Sequence, residues 1–202
     1  MFENMDDNRD RLIAFITTTH TALSFEKATQ LASHFHLITF RKEEIFLNAG
    51  NICDSYLIVD AGFLRSYLYD TEGTEVTLSF FPPLSAVFEV ASFFQRVPSV
   101  ETIEALTDGS GWMLSFREVN SLFHSIPEFR EFGRALLVKG YIAFKQRTLS
   151  MINQTAEQRY ERLLNTNPEI FQYAPLKHTA SYLGITDSSL SRIRREFTKR
   201  KD

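Results

Sequence analysis

The chain has 202 residues, 44% of them hydrophobic and 23% charged, which is enough to bury a core in one large or two small domains. Its single cysteine, Cys53, excludes an internal disulfide framework and any four-cysteine zinc or iron–sulfur site. No apolar run reaches membrane-spanning length, and the first ten residues are polar and acidic, so we expect a cytoplasmic protein with no membrane partner.

Helical periodicity comes first along the chain. Apolar residues recur at helical spacing between about 8 and 35, and Ser24 is placed to cap the second of two helices. Short β-branched or aromatic runs then alternate with turn signals such as Ala49-Gly50 and Ala61-Gly62. The predicted strands, seven or so, are 37–41, 44–48, 55–60, 63–69, 75–81, 100–106 and 111–115. Their spacing predicts an antiparallel roll or sandwich.

Helices return after the last strand. The capping box Ser115-x-x-Glu118 opens one helix, and Ile126-Pro127 interrupts it and starts a longer one to about Asn153. This long helix carries two adjacent apolar stripes, whereas a surface helix needs one. The second stripe predicts contact with the same helix of a second copy; the alternative is burial between domains of one chain. We assign to a dimer interface Leu137, Val138, Tyr141, Ile142, Phe144, Leu149 and Ile152.

A second capping box, Thr155-x-x-Gln158, marks a fresh helix and therefore a boundary near residue 154. The predicted fold class is α+β, with an N-terminal antiparallel β-roll and an all-helical C-terminal domain. We predict a β-roll sensor domain over 1–127, a dimerisation helix over 128–153 and a helix-turn-helix domain over 154–202.

The helix-turn-helix prediction depends on the spacing around Gly184. Ala180 lies four residues before Gly184, which suits two helices that meet at a sharp angle, because a bulky side chain at 180 would clash with the second helix. Gly184 can take the positive φ that ends the first helix, and Thr186 can cap the second. The second helix then has an apolar face of Leu190, Ile193 and Phe197 and an opposite polar face of Ser188, Arg192, Arg195 and Lys199.

The charge of this segment favours DNA as its partner. Between residues 176 and 201 there are seven cations and two carboxylates, in a chain whose formal net charge is −3. A basic module on an acidic protein is typical of attraction to nucleic-acid phosphates. The alternative is an ordinary surface helix with a solvated charged face.

The order of helix, β-roll, long helix and helix-turn-helix resembles the Crp/Fnr family of bacterial transcription regulators. The most specific motif is Ala180-Ser-Tyr-Leu-Gly-Ile-Thr, followed after three residues by Leu190-Ser-Arg-Ile193. Phe63-Leu-Arg-Ser-Tyr67 and Pro127-Glu-Phe129 resemble the branch of Bacteroidetes-type genomes. The resemblance covers residues from about 20 to 198 and implies a homodimer, with no enzyme activity, that binds an inverted repeat in double-stranded DNA and has RNA polymerase as a further partner.

The resemblance also assigns roles within the second helix. The base-reading positions fall on Asp187, Ser188 and Arg192, and Ser189 with nearby basic residues would contact phosphates. Relatives that have Arg and Glu at the first two positions should prefer a different DNA sequence. Lys199-Arg-Lys201 is expected to replace the wing of other relatives. The full predicted DNA-binding set is Lys177, Thr186, Asp187, Ser188, Ser189, Arg192, Arg195 and Lys199.

The segment that holds cyclic nucleotides in relatives is altered here. Those relatives have Gly-Glu-Leu and a phosphate-binding arginine, and the matching positions are Phe88-Glu89-Val90 and Ser99. A buried cyclic phosphate needs a cation or a cluster of N–H groups, so we expect no response to cyclic AMP. The predicted effector pocket, for an unknown small molecule if one is used, comprises Phe88, Glu89, Val90, Ser99 and Val100.

One alternative function remains open: a ligand-binding β-roll sensor or cupin-like enzyme whose helical tail does not bind DNA. His34-Phe-His36 suggests it, because cupins bind a metal through His-x-His followed by Glu. The nearest acids, Glu43 and Glu44, lie further along than that motif requires. We therefore predict no metal and no cofactor.

Overall fold

Two four-stranded antiparallel sheets form the N-terminal part of the structure, a computed structural model that describes residues 5–20 and 22–199. The strands are β1 (His36–Phe40), β2 (Ile45–Leu47), β3 (Ser55–Ala61), β4 (Leu64–Tyr69), β5 (Glu75–Phe81), β6 (Ala86–Val87), β7 (Thr102–Ala105) and β8 (Gly109–Ser115). The first sheet has the order β1-β8-β3-β6 and the second β2-β7-β4-β5. Side chains from both sheets, including Leu57, Leu64 and Ile103, share one core, so the sheets face each other as a roll.

Helices cover the outer faces of both sheets. The helices are α1 (Met5–Thr19), α2 (Phe25–Ala32), α3 (Val90–Gln95), α4 (Phe116–Ser125), α5 (Pro127–Asn153), α6 (Ala156–Thr166), α7 (Ile170–Tyr173), α8 (Leu176–Tyr182) and α9 (Asp187–Lys199). Leu12 and Leu31, from α1 and α2, extend the core over β3. The second sheet is covered by C-terminal helices, because Phe63 and Leu106 belong to the same buried cluster as Leu183 of the α8–α9 turn.

The predicted fold class is confirmed, and most element boundaries agree within two residues. Ser24 caps α2, and both predicted capping boxes form, with Ser115 and Thr155 accepting backbone N–H groups at the starts of α4 and α6. The seven or so predicted strands are found as β1–β5, β7 and β8, and the described residues form one more strand, β6. Neither β6 nor helix α3 was predicted. Two residues are too few to show an alternation of polar and apolar side chains, which hides β6 from sequence.

Candidate nucleic-acid interface

The turn between α8 and α9 has the geometry of a helix-turn-helix. Gly184 has φ +66°, a backbone conformation that favours glycine, and a Cβ there would lie 2.4 Å from Met151 Cε, the movable end of a flexible side chain of α5. Ala180 is fully buried, and its carbonyl accepts the Ile185 N–H at 3.1 Å. The Ser189 N–H donates to Thr186 Oγ1 at 3.3 Å, so Thr186 caps α9 as predicted.

Helix α9 is held by one face and leaves the other free. Leu190 and Ile193 are buried, and the Phe197 ring packs edge-on against Tyr160 of α6 at 5.2 Å. On the opposite side, every residue of the predicted DNA-binding set in α9 except the half-buried Ser189 is exposed: Asp187, Ser188, Arg192, Arg195 and Lys199.

The predicted contacts outside α9 lie on the same helix-turn-helix. Thr186 is exposed at the start of α9, and Lys177 is exposed on α8. The predicted phosphate contacts from Arg200 and Lys201 lie outside the described residues. Among the residues described, the α9 cations, including Arg192 and Arg195, form no ion pair with a carboxylate. Their charge is thus available to an external anion.

The exposed apolar residues of α5 form a continuous face on the C-terminal two-thirds of that helix. The N-terminal third packs inward through Phe129 and Phe132, which pair with Phe123 and Phe15 of the β-roll domain. Beyond that point both apolar stripes of α5 are exposed, with Phe144 65% and Ile152 78% accessible. The exposed set contains every predicted interface residue: Leu137, Val138, Tyr141, Ile142, Phe144, Leu149 and Ile152.

The residues predicted to line an effector pocket lie in different surroundings. Glu89 caps α3, where its carboxylate accepts the Ala91 and Ser92 N–H groups at 3.0 and 2.6 Å. Val90 and Val100 are exposed. Phe88 lines an apolar cavity of ≈ 20 Å³ with Tyr56, Phe93, Phe129 and Leu137, which has room for about one water molecule.

The predicted phosphate-binding position carries a hydroxyl and lies beside a carboxylate. Ser99 is buried, and its hydroxyl donates to the Glu101 carbonyl at 2.8 Å and accepts the Glu101 N–H at 3.0 Å. Burial raises the pKa of Glu101, and the nearby charge of Glu89 raises it further. The local charges are therefore negative, opposite to those that a phosphate requires.

Arg96, the nearest arginine in sequence, is held by groups on and around α3. It adopts φ +59° at the end of α3, and its guanidinium donates to the Cys53 carbonyl at 2.9 Å and pairs with Asp54. The guanidinium also lies 4.0 Å from the centre of the Phe116 ring.

The histidine pair that suggested a cupin is not arranged as a metal site within the described residues. His34 is exposed, and His36 Nε2 lies 2.8 Å from Glu118 Oε1, a carboxylate that also accepts the Ser115 N–H in the α4 capping box. Glu118 is thus engaged as a helix cap.

Comparison with known proteins identifies the roll. Residues 37–125 match the family model described as the cyclic nucleotide-binding domain. These residues form a cyclic nucleotide-binding domain. A search of curated proteins found no match to the chain.

Solved structures extend the likeness beyond the cyclic nucleotide-binding domain. FixK2 from Bradyrhizobium japonicum is 16% identical, with a TM-score of 0.69 over 83% of this chain and 86% of that one. The c-di-GMP responsive global regulator CLP from Xanthomonas campestris is 14% identical, with a TM-score of 0.68 over 88% and 93%. A CooA mutant from Carboxydothermus hydrogenoformans is 16% identical, with a TM-score of 0.65 over 85% and 79%.

The resemblance to the Crp/Fnr family is confirmed in the cyclic nucleotide-binding domain and in the fold, which extends through the long helix and C-terminal helices. A structure ascribed to a Crp/Fnr-family transcriptional regulator from Eubacterium rectale, 18% identical, has a TM-score of 0.65 over 89% of this chain and 86% of that one. Assignment to the Bacteroidetes-type branch stays a prediction. Among the described helices, none is both long and apolar enough to cross a membrane.

The sequence predictions missed one group of residues, at the contact between the cyclic nucleotide-binding domain and α8. Arg65 of β4 is 2% exposed and lies 2.8 Å from His178 Nδ1 of α8. The sequence contained one signal for this group, an arginine between Leu64 and Ser66 in a predicted strand. Arginine is rarely buried without partners, so a buried arginine there indicates a contact with other polar residues. Its partners are distant in sequence, so the pattern could not name them.

Proposed function

We propose that the chain is a sequence-specific DNA-binding transcription regulator. The observation that carries this proposal is α9, which is capped by Thr186, anchored through Leu190 and Ile193, and exposed along its polar and basic face. A helix that enters the major groove needs this division, because its buried face fixes its orientation while the other contacts bases and phosphates. The regulators of similar fold support the same reading. Enzyme activity forms no part of the proposal.

We propose further that the active form is a homodimer on an inverted repeat. Seven exposed apolar side chains on α5 would remain in water in a single copy, which is unfavourable for a patch of this extent. A second α5 related by a two-fold axis would cover both stripes. Two copies of α9 would then contact two half-sites with matching symmetry. Such a regulator would act in the bacterial cytoplasm, with RNA polymerase as a further partner.

Arg192 provides the sharpest test of DNA reading. We expect Arg192→Ala to relax the preference at one base pair by about 1–3 kcal/mol, because an arginine can donate two hydrogen bonds to guanine O6 and N7. Arg194→Ala is the matched control, since Arg194 is exposed on the same helix and carries the same charge. Selection of bound sequences from a randomised duplex pool measures both. If both variants still bind DNA and Arg192→Ala keeps the base preference of the wild type, Arg192 does not read a base.

We propose that cyclic AMP is not the effector. The support is the hydroxyl of Ser99 in place of a phosphate-binding cation and the negative charge of Glu89 and Glu101 nearby. In calorimetric titration of the full chain, we expect cyclic AMP to give no saturable heat. Saturable binding that strengthens the affinity for DNA would overturn this part of the proposal. A more apolar small molecule, or activity without a ligand, remains compatible with the aromatic surroundings of Phe88.

A further inference from the structure

The outer face of the second sheet carries the C-terminal helices. Phe80 of β5 packs against Tyr182 of α8 with ring centres 5.1 Å apart, and Phe63 packs against Tyr173 of α7 at 5.8 Å. Phe63 and Leu106 are buried in this contact. The domain formed by α6–α9 is therefore connected to α5 by the chain and also packs against the sheet.

A buried cation lies at the centre of the contact. The Arg65 guanidinium donates to Glu104 Oε1 and Glu75 Oε1, both at 2.7 Å, and stacks 4.3 Å from the centre of the Tyr67 ring. These partners belong to the sheet itself. Arg65 Nη1, which donates to Glu75, also lies 2.8 Å from His178 Nδ1 of α8, and this Nδ1 is 3.2 Å from Glu75 Oε1. A single arginine side chain thus joins three strands to the first helix of the helix-turn-helix.

Helix α8 also occupies the open edge of the sheet. In the strand order β2-β7-β4-β5, strand β5 is terminal, and its outward N–H and C=O groups need partners when they are buried. The Thr77 N–H donates to Ser181 Oγ of α8 at 2.9 Å. Arg147 of α5 donates to the Tyr182 carbonyl at 3.0 Å and approaches the Thr77 carbonyl at 3.5 Å.

We propose that Arg65 and His178 form a catch that fixes the position of α6–α9 on the sheet, and that these helices open from the sheet as a folded unit when the catch is broken. The apolar contacts supply attraction without direction, whereas the buried Arg65–His178 contact is directional and restricts the position of α8. Arg65 and His178 are thus positioning residues for α9. The catch itself rests on no assumption about DNA; its effect on α9 as a DNA-binding helix rests on the proposed function.

Hydrogen exchange of the full chain without DNA tests the catch. His178→Phe removes the acceptor, whereas His178→Asn keeps one near the position of Nδ1. We expect His178→Phe to speed exchange of the Thr77 amide and of α8 by at least about tenfold through more frequent opening, with β3 and β8 unchanged. His178→Asn should stay close to wild type. Arg65→Met should act like His178→Phe, and Arg134→Met, which breaks an exposed pair with Glu131, is the control.

Two results would overturn the proposal. Equal acceleration of exchange in β3, β8 and α8 would show that Arg65 and His178 merely stabilise the whole chain. Unchanged exchange at Thr77 and α8 in His178→Phe would show that the apolar contact and the bonds of Ser181 and Arg147 hold the helices without the catch. Neither result bears on DNA binding, which the base preference of Arg192→Ala tests separately, so the two proposals can fail independently.

Discussion

We expect Phe144→Glu to convert the proposed dimer into a monomer and to weaken binding to an inverted repeat by at least about 100-fold. Phe144 lies in the middle of the exposed face of α5, so a carboxylate there would be buried against its own copy across a two-fold axis. A monomer contacts one half-site with one α9 helix, whereas two joined binding modules typically gain two orders of magnitude or more in affinity. Sedimentation velocity gives the mass, and fluorescence anisotropy gives the affinity.

Ala143→Glu is the control for this prediction. Ala143 is exposed on the neighbouring side of α5, off both apolar stripes, and the substitution adds the same charge. We expect this variant to remain a dimer. Its affinity for DNA should equal that of the wild type, apart from the small decrease that an extra negative charge causes. A dimeric Phe144→Glu protein with unchanged affinity would show that the exposed face of α5 has another purpose.

The second large effect expected is a loss of stability in mild acid that depends on His178. Burial lowers the pKa of His178 to about 4, and the charge of Arg65 lowers it too, whereas Glu75 opposes the shift; Lys177 and Asp187 contribute less and in opposite directions. The unfolded chain, in which this pKa is near 6.5, binds the proton more tightly than the folded one. The free energy of unfolding therefore keeps its full value above pH 6.5. It falls by on the order of 3 kcal/mol as the pH drops from 6.5 to 4.

Urea unfolding at several pH values between 7 and 4 measures this loss. In His178→Asn the residue does not titrate, so the slope of unfolding free energy against pH should flatten. Glu75 contributes to the loss of stability at lower pH. Partial burial raises its pKa, but the hydrogen bond and charge of Arg65 outweigh this effect and lower it. Its contribution to stability is therefore lost as its carboxylate is protonated. His34→Asn, at an exposed histidine, is the control. An unchanged slope in His178→Asn would mean that other groups cause the acid sensitivity.

Local patterns carried most of what could be predicted from the sequence. The caps at Ser24, Ser115 and Thr155 and the turn at Gly184 involve residues within a few positions of each other, so their chemistry is visible in the chain. Helix α9 was predictable for the same reason, because an apolar face and a basic face at helical spacing define it completely.

The contacts between distant segments could not be predicted in this way. Arg65 and His178 are separated by 113 residues, and the partner of a buried charge depends on which sheet face meets which helix. The effector pocket also depends on contacts between distant segments, and it stays a prediction: Glu89 caps α3, and Ser99 bonds to Glu101.

The covered edge of β5 has a consequence for how the chain is made. The strand leaves the ribosome long before α8, so the nascent roll carries an uncovered edge and exposed Phe63, Phe80 and Leu106 until the last quarter of the chain arrives. Unpaired edges and apolar surface promote association with other chains. A ribosome-bound fragment that ends after α5 should therefore recruit chaperones more strongly than the finished protein, and the helix-turn-helix completes the sheet that was synthesised before it.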